Sequence, residues 1–162
     1  SFYKVKIMKY FIFVIFTLFS ISSYANCSTS YINSAYKVAY EAQKTSDHDV
    51  VSEIPLSIVV AQNILESGCG KSRVANKKKN YYGLIGRNNK YLEFQDIEHS
   101  TEYYFKNLAT NNAYSSFRSS VSKKHSIGKI IKKLSNVYAE DPKYSKKLLA
   151  VISSYNLRKF DK

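Results

Sequence analysis

The chain has 162 residues, 44% of them hydrophobic and 15% aromatic, which gives room for one packed core and excludes two sizeable domains. Its formal charge of +13 attracts polyanions, nucleic acid or an anionic cell wall alike, and by itself names neither. The 15 tyrosines fit a stacking role for several of them, but a lysine-, asparagine- and isoleucine-rich composition imposed by an AT-biased genome accounts for them equally well.

The first element is a leader. Met8 and Lys9 precede an apolar run from Tyr10 to Phe19, and small residues close it at Ser23 and Ala25, the three-part layout of a secretory signal peptide. The run is about half the ~20 residues of a membrane span, so cleavage after Ala25 is expected rather than a permanent anchor. Ser1 to Ile7 would then precede the true start, residues 1–25 would be removed, and 26–162 would form a single exported domain, periplasmic or secreted. Loss of Lys4, Lys6 and Lys9 with the leader lowers the formal charge to +10 and leaves the domain basic. The two cysteines, Cys27 and Cys69, would both reach an oxidising compartment. A bridge between them would close a loop of roughly 43 residues and contribute on the order of 4 kcal/mol. Spacing alone also leaves open two free thiols, or a lipid-carrying Cys27.

Most of the chain beyond the leader reads as helix. Tyr31, Ala35, Val38 and Ala42 form one stripe, and His48 to Glu53 is a polar break. The central helix opens at Pro55 and runs apolar to Ser67-Gly68, where Gly68 suits the left-handed residue that ends a helix. Glu66 therefore lies in the last turn, with Val59 and Gln62 on its face. The negative end of the helix dipole and the apolar surroundings both disfavour ionisation there, the condition a carboxylic acid needs to stay protonated near neutral pH. A period of two then appears in Tyr82 to Ile85 and Tyr91 to Phe94, flanking a turn-rich GRNNK and predicting a short β-hairpin with Glu93 exposed on its second strand. Ser100 is expected to cap a helix carrying Tyr104, Phe105 and Leu108, and Ser126 one carrying Ile127, Ile130, Ile131, Leu134 and Tyr138. Asp141-Pro142 opens a last helix with Tyr144, Leu148, Ile152 and Tyr155 toward the core.

Four blocks, ILESGCGKS, NYYGLIG, YFKNLATNNAYSSFR and YAEDPKYSKKL, resemble in order the motifs of the endo-beta-N-acetylglucosaminidases of glycoside hydrolase family 73, which includes the glucosaminidase domain of flagellar rod-cap hydrolases and exported single-domain, Bax-like members. The resemblance spans Pro55 to Leu157. It implies a mainly α, lysozyme-like helical domain with a small β-hairpin lobe, acting without a cofactor, as a monomer, on the glycan strands of peptidoglycan, with no nucleic-acid partner and no stable membrane span. Glu66 matches the family's general acid, and Tyr138 the tyrosine expected to line the cleft beside it. Asn80, Tyr82 and Gly83 match the element that begins the β lobe, with tyrosine at Tyr82 where phenylalanine is usual. Two departures stand out: Cys69 occupies the position of a family tryptophan, and the β lobe is short, so Glu93, Asp96 and Glu98 have no secure match to a second carboxylate.

The expected chemistry needs Glu66 to protonate the leaving oxygen and a second group to manage the charge developing on the sugar. Glu93 or Asp96 could activate water, or the substrate's own 2-acetamido oxygen could attack the anomeric carbon with a carboxylate steadying it. Glu98, close to the expected Ser100 cap, reads as helix-terminal decoration. Tyr81, Tyr82, Tyr91 and Tyr138 are expected along the groove, with Gln62, Asn80 and Gly83 near the sugar. A lytic transglycosylase or muramidase on the same scaffold, or a non-catalytic basic wall- or nucleic-acid-binding module, are the rival readings. His48, His99 and His125 lack paired metal-ligand spacing, so no metal is expected.

Overall fold

The computed structural model describes residues 26–161 as eight α-helices and two short 3₁₀ turns; the expected leader lies outside the described residues. Among the described residues no helix is long and apolar enough to cross a membrane.

Helix α1, Thr29–Lys44, starts where the Ser28 hydroxyl accepts from the Tyr31 amide, and it buries Ile32, Ala35, Ala39 and Ala42 on one stripe. The polar segment after it is more than a break, because it holds a one-turn helix, α2, Asp49–Ser52. Helix α3, Leu56–Ser67, is the axis of the molecule: every residue from Leu56 to Ile64 is buried. It packs against α1 on one side and, on the other, against α8, Tyr144–Ser154, and the terminal 3₁₀ turn Leu157–Phe160. Pro55 at its start offers no side-chain cap. The carboxylate of Asp161 does so instead, accepting from the Ser57 amide at 2.8 Å and the Ser57 hydroxyl at 2.7 Å, so the end of the chain closes over the start of the central helix.

Gly68, with φ of +56°, ends α3 in the left-handed conformation expected of it. Helix α4, Arg73–Lys78, comes next under a Ser72 cap. The cap of α5, Ile97–Thr110, is Asp96 rather than Ser100: its carboxylate accepts from the His99 amide at 2.7 Å. Ser100 lies buried one turn inside that helix, where its hydroxyl accepts from the Tyr81 amide. A 3₁₀ turn, Asn112–Tyr114, leads into α6, Ser115–Ser122, and Ser126 begins α7, Ile127–Tyr138, which buries Ile130, Ile131, Leu134 and Tyr138. Glu98 falls in the first turn of α5, as its decoration of the helix end required.

The expected β-hairpin is a clasp with one antiparallel bridge, Ile85 to Tyr91. The Asn80 side chain explains the difference. Its amide nitrogen donates to the Leu84 and Leu92 carbonyls at 2.8 and 2.9 Å, and its oxygen accepts from the Leu84 amide at 2.9 Å, so one side chain does the pairing a longer ladder would do.

Candidate active site

Glu66 sits in the last turn of α3, partly open to solvent among groups that otherwise bury it. Burial pushes its pKa up to about 7, offset in part by the Tyr144 hydroxyl, which donates to Oε1 at 2.6 Å, and by the nearby Lys147 charge. Lys147 is held by Asp141 at 2.6 Å. The acid is thus half-protonated near neutrality while one of its two oxygens is already engaged.

Tyrosines surround the carboxyl. Tyr138, Tyr144 and Tyr104 are fully buried, and burial raises the pKa of each, with the Glu66 charge adding to it. Tyr138 and Tyr144 stack with centroids 5.9 Å apart, and Tyr82 stacks on Tyr104 at 4.2 Å. Tyr91 is only partly buried, and its pKa is raised by that burial and by the Glu66 charge, so it lies within electrostatic reach of the acid with surface left to offer a ligand.

The site expected from the sequence divides accordingly. Glu66, Tyr138 and Tyr91 come together, but Tyr138 is interior, not cleft lining: its hydroxyl donates to the Tyr82 carbonyl at 2.5 Å and holds the clasp to the helices. Tyr82 is also interior, locked between Tyr104 and the Thr101 hydroxyl. Asn80 and Gln62 are buried and satisfied by protein groups, so neither offers a polar atom to a sugar. Gly83 is buried, and its φ of +66° serves the bend between Asn80 and Leu84 that the Asn80 side chain closes. Tyr81 is partly exposed, with its pKa raised by burial and by the Glu98 charge. Glu93 is 68% exposed and paired with Lys78 at 3.2 Å. Asp96 is committed to its cap.

Sequence reasoning misses Tyr144 as a site residue, because its helical spacing reports only that the ring faces inward. One signal points to it. Gln62, a buried polar side chain one turn before Glu66 in a mostly apolar helix, needs buried partners, and Tyr144 and Tyr104 supply them.

The turn carrying the acid is anchored from α1 and the segment just before it. Cys69 is joined to Cys27, with Cα atoms 5.4 Å apart. The Tyr31 hydroxyl donates to Asn63 Oδ1 at 2.6 Å and lies 3.0 Å from the Ser67 hydroxyl, which accepts from the Gly70 amide at 2.8 Å. The position that carries tryptophan in the resembled family is therefore a covalent tether here.

The sequence model of the Glucosaminidase family, described as mannosyl-glycoprotein endo-beta-N-acetylglucosaminidase, matches residues 39–157. "Protein bax" of Escherichia coli (strain K12) is 35% identical over 80 aligned residues, covering 43% of this chain and 29% of that protein, so the chain spans less than a third of that relative. The catalytic domain of the autolysin Auto from Listeria monocytogenes superposes with a TM-score of 0.66 at 23% identity, over 90% of this chain and all of that one. An N-acetylmuramoyl-L-alanine amidase structure from Staphylococcus aureus gives 0.64 at 21% identity, over 94% of this chain and 49% of that one. At such identities the two likenesses show a shared fold, and the mainly helical, lysozyme-like class expected from the sequence is the one observed.

Proposed function

This chain belongs to the endo-beta-N-acetylglucosaminidase family and is a glycoside hydrolase, and from that premise we propose that it cuts the glycan strands of peptidoglycan after N-acetylglucosamine with Glu66 as proton donor. The observation that carries the reading is the state of Glu66: a carboxyl with a pKa of about 7, partly accessible, with Oε1 bonded to Tyr144 and Oε2 without a hydrogen bond among the described residues. Such a group holds a proton at working pH and can release it to the glycosidic oxygen as the C1–O bond breaks.

The positive charge on the sugar is then met by the substrate's own 2-acetamido oxygen, which attacks C1. Supporting this choice, Asp96 is committed to its helix cap, and Glu93 is exposed and meets Lys78 rather than the groups around Glu66. Glu66, now ionised, takes a proton from the water that opens the intermediate, which restores the acid. Tyr91 and Tyr81, partly exposed on the clasp, are the aromatics that offer a stacking surface to the sugars. An envelope or extracellular location, after removal of the leader, follows from that substrate.

Glu66→Gln tests the assignment. The amide keeps the shape and loses the transferable proton, so hydrolysis of purified peptidoglycan should fall at least a hundredfold while sedimentation with the polymer persists. Undiminished hydrolysis would remove Glu66 from the role. Loss of sedimentation together with hydrolysis would leave the proton-donor assignment unsupported.

A further inference from the structure

We infer that Gln62 and Tyr104 are positioning residues that fix which oxygen of Glu66 carries the transferable proton, through a one-way chain of hydrogen bonds ending at Tyr144. The inference rests on Glu66 being the proton donor. The Tyr104 hydroxyl donates to Gln62 Oε1. Gln62 Nε2 donates to the Tyr144 oxygen at 3.1 Å, and the Tyr144 hydroxyl donates to Glu66 Oε1 at 2.6 Å. All three intermediate groups are fully buried, so water cannot substitute for a missing partner.

The direction of the chain is what matters. A tyrosine hydroxyl has one proton and two acceptor sites. With the Gln62 amide donating to its oxygen, Tyr144 has its own proton left for Glu66, and Oε1 is fixed as an acceptor. When Glu66 is protonated, the proton must therefore reside on Oε2. Reversing the Gln62 amide would turn its oxygen toward Tyr144, draw the Tyr144 proton away from Glu66, and let Glu66 instead donate from Oε1 into the Tyr144 oxygen. The acid's proton would then be held inside the protein. Tyr104 prevents the reversal, because an inverted amide would present nitrogen to it and leave its buried hydroxyl proton without the acceptor it has now.

The chain also bears on pH. The titratable groups felt at Glu66 are Tyr144 and Lys147 on α8, Tyr138 on α7, Tyr104 on α5, Tyr114 on the 3₁₀ turn and Tyr91 on the clasp. Of these, the Tyr144 hydrogen bond and the Lys147 charge pull the Glu66 pKa down against burial. Loss of the Tyr144 donation therefore raises that pKa and moves the alkaline limb of activity upward.

Tyr104→Phe removes one hydroxyl and keeps the ring that stacks on Tyr82. In steady-state hydrolysis of a soluble peptidoglycan fragment across pH, it should shift the alkaline limb of kcat/KM upward by about half a unit or more and lower kcat about tenfold. Gln62→Met leaves no amide oxygen to draw the Tyr144 proton away, so it should shift the limb less than Tyr104→Phe, whereas Tyr144→Phe should shift it at least as far. Because Tyr104 acts through Tyr144, the Tyr104→Phe/Tyr144→Phe double variant should match Tyr144→Phe alone rather than add to it. A folded Tyr104→Phe enzyme whose pH profile superposes on wild type, or an additive double variant, overturns the inference. Glu66→Gln, assayed alongside, separates the two levels: if it still hydrolyses, the proton-donor reading fails, and if it is inactive while the Tyr104→Phe profile is unmoved, only the chain fails.

Discussion

At the scale of single residues, the placement of Glu66 is legible in the sequence itself, because a glycine helix stop fixes the last turn and the residues ahead of it are apolar. The hydroxyl end of each inward tyrosine is not legible there. Periodicity reports the direction of a ring, whereas Tyr144 and Tyr138 differ in whether that ring's oxygen meets a carboxylate or a backbone carbonyl. The raised pKa of Glu66 has a consequence for stability as well as chemistry. The folded protein holds this proton up to about pH 7 while the unfolded chain releases it near the ordinary glutamate value of 4.5, so folding is progressively penalised as pH rises between the two. Glu66→Gln removes that penalty. The variant should be more stable than wild type at pH 8, by on the order of 2 kcal/mol, and the difference should vanish below about pH 4.5. Urea denaturation at the two pH values checks this, and equal differences at both would show that the carboxyl is not titrating as described.

At the scale of elements, the long helices are legible in the sequence, whereas the short helices α2, α4 and α6 and the clasp are not. Helices α1, α7 and α8 each show an apolar stripe long enough to outvote local exceptions, and α3 an apolar run that ends at a glycine stop. The period-two segment misleads because alternation reports which face is buried, not what satisfies the backbone, and here the Asn80 side chain does so. Asn80→Ala leaves a buried amide and two carbonyls without that partner and should cost about 3 kcal/mol, measured by chemical denaturation. A loss under about half a kcal/mol would mean that water or a relaxed backbone replaces it. The turn from Gly68 to Gly70 is the second case. A Cβ on Gly70 would come within 2.6 Å of Tyr31 Cε2, in a backbone with φ of +74°, and the Tyr31 hydroxyl is tied to Asn63 and Ser67. Gly70→Ala should therefore destabilise by about 2 kcal/mol and lower activity through the displaced acid turn. Reduction of the Cys27–Cys69 bridge loosens the same turn from the segment that leads into α1 and should lower stability by about 2–4 kcal/mol, which thermal melts with and without reductant would show.

At the scale of the whole molecule, charge and fold address different questions. The family makes the chain a glycoside hydrolase, whereas the +13 charge concerns what it is drawn to. Cations crowd at the α6–α7 corner, where His125 is held below its ordinary pKa by slight desolvation and by Lys129, Lys123 and Lys133. Under the proposed function, association with an anionic wall should weaken several-fold between about 0.05 and 0.3 M salt, while hydrolysis of short neutral fragments changes little. A salt-insensitive association would assign binding to the groove alone. The bond that is cut is the central claim, and mass spectrometry of borohydride-reduced fragments released from purified peptidoglycan tests it most directly. Reduced N-acetylglucosamine at the new ends is the result expected with Glu66 acting after that sugar; reduced N-acetylmuramic acid, or its 1,6-anhydro form, would contradict the account.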